Sequence, residues 1–147
     1  MIALALASGL ACSSDPEPGE PVAEDPLGLG ETGPGTCLKF DDEIGAEVTE
    51  LPVVECDVPH THEIYAVDDH PADVYPGFDE LEDYAQRACL AAFEPFVGSN
   101  PFDSSLFHTW MVPTLPGWND DDDREVLCVL GDHDGEPLER SMRDTGA

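Results

Sequence analysis

Four cysteines, Cys37, Cys56, Cys89 and Cys128, are spread along the chain at wide intervals, and a fifth, Cys12, stands apart near its start. No two form a Cys-x-x-Cys pair, the close spacing that structural zinc sites favour. Widely spaced cysteines in a small exported domain read as a disulfide framework laid down in an oxidising compartment. Four cysteines permit three pairings. The elements they fall on favour Cys37–Cys56, joining two early strands, and Cys89–Cys128, stapling a helix to the last strand. Loops of these lengths contribute roughly 3–4 kcal/mol each in the chain-entropy model. That matters in a chain with five Lys and Arg against 33 Asp and Glu, whose net charge of -28 makes the folded state repel itself. The same balance argues against DNA, RNA and anionic lipid headgroups as partners, because each needs positive charge.

Periodicity places the elements between the cysteines. Leu51 to Cys56 and Glu63 to Val67 are short apolar runs that read as strands. In the second, alternation puts Ile64 and Ala66 on one face and Tyr65 and Val67 on the other. Asp68 to Gly77 carries turn chemistry. A helix follows, with Asp79 as its cap, Glu80 and Glu82 in its first turn, and Pro95 and Gly98 at its end. Leu81, Tyr84, Ala85, Ala88, Cys89, Ala92 and Phe93 recur on one face of it. Leu106 to Val112 is a third strand and Glu125 to Leu130 the clearest one. There Val126, Cys128 and Leu130 share one face, and Leu127 and Val129 the other. From Gly131 the chain is turn-rich and ends in a short irregular tail. The fold class is therefore a small disulfide-stapled α+β domain, with an antiparallel or mixed sheet of about four strands and one main helix packed on one face.

The N-terminal part belongs to export. Residues 1–11, MIALALASGLA, are apolar and uncharged, too short to span a bilayer and suited to the h-region and cleavage zone of a signal peptide. The charged n-region is missing, so the expected start lies upstream of Met1. Ser8-Gly9-Leu10-Ala11 ahead of Cys12 resembles a lipobox, with Gly9 where Leu is usual, and makes Cys12 the candidate lipidation site and membrane anchor. Residues 12–36 are rich in Pro, Gly and acids, and read as a disordered tether. The domain is expected over 37–147.

The order of residues also resembles a known family. Gly35-Thr36-Cys37 leads to Cys56-x-x-Pro59-His60-x-x-Glu63, then to Tyr75-Pro76-Gly77 and a helix bearing Cys89. Phe96-Val97-Gly98, Pro113-Thr114, Trp118, Arg124-Glu125-Val126-x-Cys128 and Ser141-Met142-Arg143 follow. This resembles the bacterial septum formation domain, an exported module of envelope proteins and lipoproteins, over about residues 35–143. The resemblance implies a role at the division septum and carries no catalytic mechanism. It singles out His60, Glu63, Tyr75, Pro76, Gly77, Trp118 and Arg124. At one place the chain departs from the family, which tends to have Trp, two residues, then Gly-Asp-Arg. Here Asn119 and Asp120 to Asp123 separate Trp118 from Arg124, one residue more and without the Gly.

Three site chemistries are weighed on these residues. His60, His62 and Glu63 are of zinc-ligand type, although a backbone role for His60, with Glu63 orienting it, is the plainer expectation. Asp120, Asp121, Asp122 and Asp123 suit a hard cation such as calcium, but the EF-hand spacing is absent and a solvated acidic loop is the plainer expectation. No nucleophile elbow is present, and cysteines held in disulfides supply no thiolate. Phe107, Trp110, Met111 and Trp118 are expected in the core more than in an exposed patch. The sequence thus points to a non-enzymatic exported lipoprotein with no cofactor, binding an envelope protein or cell-wall component. A divalent-cation-binding module, or a hydrolase with an unrecognised carboxylate site, are the alternatives.

Overall fold

Alternation along the last strand decides the two faces of the fold. In the computed structural model, which describes residues 32–40 and 51–147, Val126, Cys128 and Leu130 enter the main core and Leu127 and Val129 a second cluster on the opposite face. The elements are β1 (Thr36–Leu38), β2 (Val53–Val54), β3 (His62–Asp69), α1 (Phe78–Val97), β4 (Leu106–Met111), α2 (Leu115–Asp120) and β5 (Glu125–Asp132). The strands form one antiparallel sheet in the order β2-β1-β3-β5-β4. Helix α1 lies on one face and buries Leu81, Ala85, Cys89, Phe93, Phe96 and Val97. Leu38, Ile64, Leu127 and Val129, with Phe40 and Leu51 packed against them, make the smaller cluster on the other face. The signal segment 1–11, Cys12 and most of the tether lie outside the described residues.

Both expected disulfides form, Cys37–Cys56 and Cys89–Cys128, although β2 covers only Val53–Val54 of the run expected over Leu51 to Cys56, so Cys56 lies in the turn after the strand. The sheet is antiparallel with five strands and one main helix packed on it, as the expected small α+β domain requires. β1, the early strand that carries Cys37, is three residues long, too short for a periodic signal of its own, and is ordered by ladders on both sides. It starts one residue ahead of Cys37, and Gly35 already donates to the Ile64 carbonyl at 2.7 Å. Strict alternation fails in β3, where a bulge lies between Ile64 and Ala66. Ile64 and Val67 therefore belong with the small cluster, and Tyr65 and Ala66 with the helix-side core. An extra residue in one strand flips everything beyond it.

The helix ends also differ from expectation. Asp79 is not the cap: the chain enters through Gly77 at φ 99°, no side chain caps the helix, and Asp79 and Glu80 sit in the first turn. Pro95 does not end the helix, which runs on to Val97. Gly98 closes it in the left-handed region, its N–H bonded to the Glu94 carbonyl at 2.9 Å. The carbonyls of the last turn find donors in the tail, Phe96 from Asp144 N–H at 2.9 Å and Val97 from Gly146 N–H at 2.8 Å. These bonds hold a turn that a proline weakens. The tail is irregular, as read, but it is bound along its length. Leu138 bridges to His60, and Ser99 and Ser104 both donate to the Ala147 carbonyl.

Strand β5 outruns its apolar pattern because Gly131 is a packing residue. The register aligns Leu38, His62, Gly131 and Phe107 in one row across four strands. Phe107 reaches over Gly131 to meet His62, with ring centroids 5.8 Å apart. A Cβ on Gly131 would stand 2.7 Å from the Phe107 ring. Gly131→Ala is therefore expected to cost about 2 kcal/mol of stability, read by urea denaturation. A loss under about 0.5 kcal/mol would mean that the ring moves aside freely.

Candidate functional site

Two groups of side chains stand out, one at an exposed corner and one inside the sheet. The corner is built around α2. Thr114 caps this helix by accepting from Gly117 N–H at 3.1 Å, and a proline stands in its first turn. That Thr-x-Pro start is a legible helix signal that sequence reading passed over. The turn directs Trp118 inward, where it is 2% exposed. The Arg124 guanidinium lies over its ring at 3.9 Å. Tyr75 and His70 meet the ring edge-on at 5.7 and 5.6 Å, and His70 in turn meets Tyr84 at 4.5 Å. Arg124 also donates through Nη1 to the carbonyls of Trp118 and Asp123, both at 2.9 Å, and pairs with exposed Asp122 at 2.9 Å. Tyr84 donates to Asp68 at 2.8 Å. Burial first, then that hydrogen bond and the neighbouring acids, hold its hydroxyl above the ordinary pKa. The corner thus clamps three segments that are distant in sequence: the loop after β3, the start of α1 and the α2 turn.

The inner group centres on Glu63, which is fully buried. One carboxylate oxygen accepts from Ser141 Oγ at 2.5 Å and the other from Met142 N–H at 2.7 Å. Glu63 therefore anchors the tail, and no hydrogen bond joins it to His60, the partner that sequence reading gave it. His60 is also fully buried. Its backbone exchanges two hydrogen bonds with Leu138, at 3.0 and 2.8 Å, and its Nδ1 lies 2.8 Å from the Val58 carbonyl. His60 Nε2 has no hydrogen-bond partner.

The metal candidates part company in three dimensions. His60 and Glu63 stay together and are joined by Cys37, with one ligand atom from each within 4.8 Å of the others. Sequence reading set Cys37 aside as a disulfide cysteine, yet its register pairing with Glu63 places the two on one face. His62 turns to the other face, edge-on to Phe40 and Phe107. Burial there holds its pKa below the ordinary histidine value. Asp120 and Asp121 are exposed, Asp122 pairs with Arg124, and Asp123 accepts from Glu125 N–H at 3.0 Å. Among the described residues, the four aspartates do not join the Cys37 group or form another. Phe107, Trp110 and Met111 are half-buried and Trp118 is buried, so these four do not form an exposed patch.

The model of the septum formation family matches residues 29–128. The chain belongs to that family. The match covers well over half of the chain, and no curated protein and no solved structure matches it. The septum formation residues that the sequence singled out divide between the two groups. Tyr75, Trp118 and Arg124 build the corner, with Pro76 and Gly77 leading from Tyr75 into α1, while His60 and Glu63 are buried beside the sheet. Ser141-Met142-Arg143 lies past the matched span, yet Ser141 and Met142 bond to Glu63, and Arg143 stacks on Phe96 at 4.3 Å and donates to the Pro34 carbonyl at 2.8 Å. Two disulfides and a septum formation domain agree with a location outside the cytoplasm. Among the described residues, no helix is long and apolar enough to cross a membrane.

The departure from the family pattern has a backbone reason. Asp122 stands two residues before Arg124, where the family tends to have Gly, and its φ is 58°. The turn here needs a left-handed residue at this position and fills it with Asp, one of the few side chains that tolerate this region. Asp122→Gly is expected to raise stability by about 0.5 kcal/mol, since the exposed ion pair it loses is worth little. A small upward shift of the urea midpoint checks this. A downward shift would give the Asp122–Arg124 pair the larger weight.

Proposed function

We propose that this septum formation domain is the binding module of an exported envelope lipoprotein, held to a membrane through Cys12. It docks a protein partner in the envelope at the division site and carries out no catalysis. One observation bears most of the weight: Val74 is 78% exposed and Phe78 59%, on either side of Tyr75, and Leu115 is 50% exposed on α2. Large apolar side chains held at the surface by a rigid, aromatic-rich support suit a protein interface. The Trp118–Arg124 clamp supplies that support by joining the segments that carry them. The strong negative charge favours a neutral or basic partner surface. Disulfides occupying four of the five cysteines support binding over thiol chemistry.

The test is crosslinking of the full chain in intact envelopes, comparing the unaltered protein with Phe78→Glu. The variant is expected to recover the crosslinked partner about tenfold less well with an unchanged circular dichroism spectrum. Equal recovery would remove this surface from the interface. Mass spectrometry of the mature N-terminus tests the anchor. An unmodified Cys12 would end the lipoprotein reading and leave the interface standing.

A further inference from the structure

His60 carries a buried ring nitrogen that the fold does not use. Its Nδ1 faces the Val58 carbonyl at 2.8 Å. A carbonyl only accepts, so Nδ1 is the nitrogen that holds a proton there, and Nε2 is the one left to meet a ligand. That is the arrangement of metal-binding histidines, which fix their tautomer by donating the other N–H to a carbonyl or carboxylate. Nε2 is buried and without a hydrogen-bond partner. Glu63 stands nearby with each oxygen accepting one hydrogen bond, and a carboxylate offers about four acceptor positions in all. Cys37 Sγ completes a group whose ligand atoms lie within 4.8 Å of one another. Ligands on one zinc ion stand about 3.5 Å apart, so small shifts would close this group around a metal. What occupies Cys37 is its bond to Cys56.

We infer that the Cys37–Cys56 disulfide covers a latent zinc site, opened by a dithiol reductant, in which Cys37, Cys56, His60 and Glu63 bind one ion. The two disulfides differ in access. Cys56 is half-exposed, whereas Cys89 and Cys128 are both fully buried in the main core. A thiolate of the reductant attacks Cys56 Sγ, the Cys37–Cys56 bond breaks, and Cys37 leaves as a thiolate beside His60. The second thiol of the reductant then attacks its own mixed disulfide and releases Cys56 as a thiolate. The reductant departs as a disulfide, having given up two electrons, and its two thiol protons pass to solvent. Two thiolates, one carboxylate and one neutral imidazole make a four-coordinate donor set of the kind zinc takes. The site would make the domain respond to the redox state of its surroundings, which the docking surface alone would not.

The experiment uses the full chain treated with a dithiol reductant under mild conditions, desalted without oxygen and titrated with zinc and with cobalt. Peptide mapping after alkylation should show Cys37 and Cys56 freed and Cys89–Cys128 intact. One equivalent of zinc is then expected to bind, cobalt to give the absorption of a tetrahedral thiolate site, and the untreated protein to take up neither. Zinc-edge X-ray absorption should report two sulfur and two lighter ligands, a readout that needs no variant. His60→Ala should weaken zinc by at least about tenfold. Failure of the reduced, folded chain to take zinc would overturn the inference. So would uptake that requires Cys89 and Cys128, a ligand shell without two sulfurs, or equal affinity in the His60→Ala chain. Unfolding on reduction that zinc does not reverse would overturn it as well.

Discussion

Replacing Cys89 and Cys128 together by alanine is expected to lower the unfolding free energy by about 4 kcal/mol. The two residues are 39 apart in sequence, so their bond closes the longer of the two loops. A cross-link of that span removes much of the freedom of the unfolded chain. It also lies in the main core, where both cysteines are fully buried between α1 and β5 and pack with Tyr65, Phe93 and Leu130. Removing Cys37 and Cys56 instead should cost about 3 kcal/mol, because their separation is 19. Urea denaturation of the two double variants measures the difference. If the shorter loop proved the costlier to open, loop closure would not be the source of the stabilisation. The chain's acidic self-repulsion makes either loss severe, since a domain of this size has only about 5–15 kcal/mol in hand.

Glu63→Ala should be the most damaging single polar substitution, at about 3 kcal/mol. Two donors lose their acceptor, and Met142 N–H lies in a buried bond that water cannot readily replace. The tail should then loosen as a unit. Slow hydrogen exchange at the Met142 amide, and at Leu138 where the tail bridges to His60, is expected to become fast. Glu63→Gln should cost only about 1 kcal/mol, because an amide can still accept from Met142 and can donate to Ser141. Equal losses in the two variants would show that the charge of Glu63, and not its hydrogen bonds, holds the tail.

Much of this architecture could be read along the chain. Local patterns carried the helix face through Cys89 and the alternation of β5, because each depends on neighbours a few residues away, and the elements so placed favoured the disulfide pairing that forms. Errors arose where local and distant forces disagree. Pro95 reads as a stop, yet the helix continues because Asp144 and Gly146, near the other end of the domain, bond to its last carbonyls. The bulge after Ile64 has no marker in EIYAV; its partner strand imposes it. Gly131 reads as the end of a strand until Phe107, placed opposite by register, turns it into the floor for a ring. The two site groups follow the same division. The residues of the corner were recognisable individually, but that Tyr75, Trp118 and Arg124 meet was not. Glu63 was recognisable as a residue of interest, but its partner was misread, because Ser141 and Met142 lie 78 and 79 residues away.

Composition and spacing determined a small, acidic, disulfide-stapled α+β domain, and the order of its motifs carried the resemblance to the septum formation family that the family model bears out. Periodicity and cysteine placement are properties of the covalent chain and survive any packing. Tertiary structure alone decided which faces β3 presents, where the tail is held, and that Cys37, His60 and Glu63 share one buried place. Those outcomes depend on register and on hydrogen bonds between segments far apart in sequence, and such bonds form only once the sheet has closed around them.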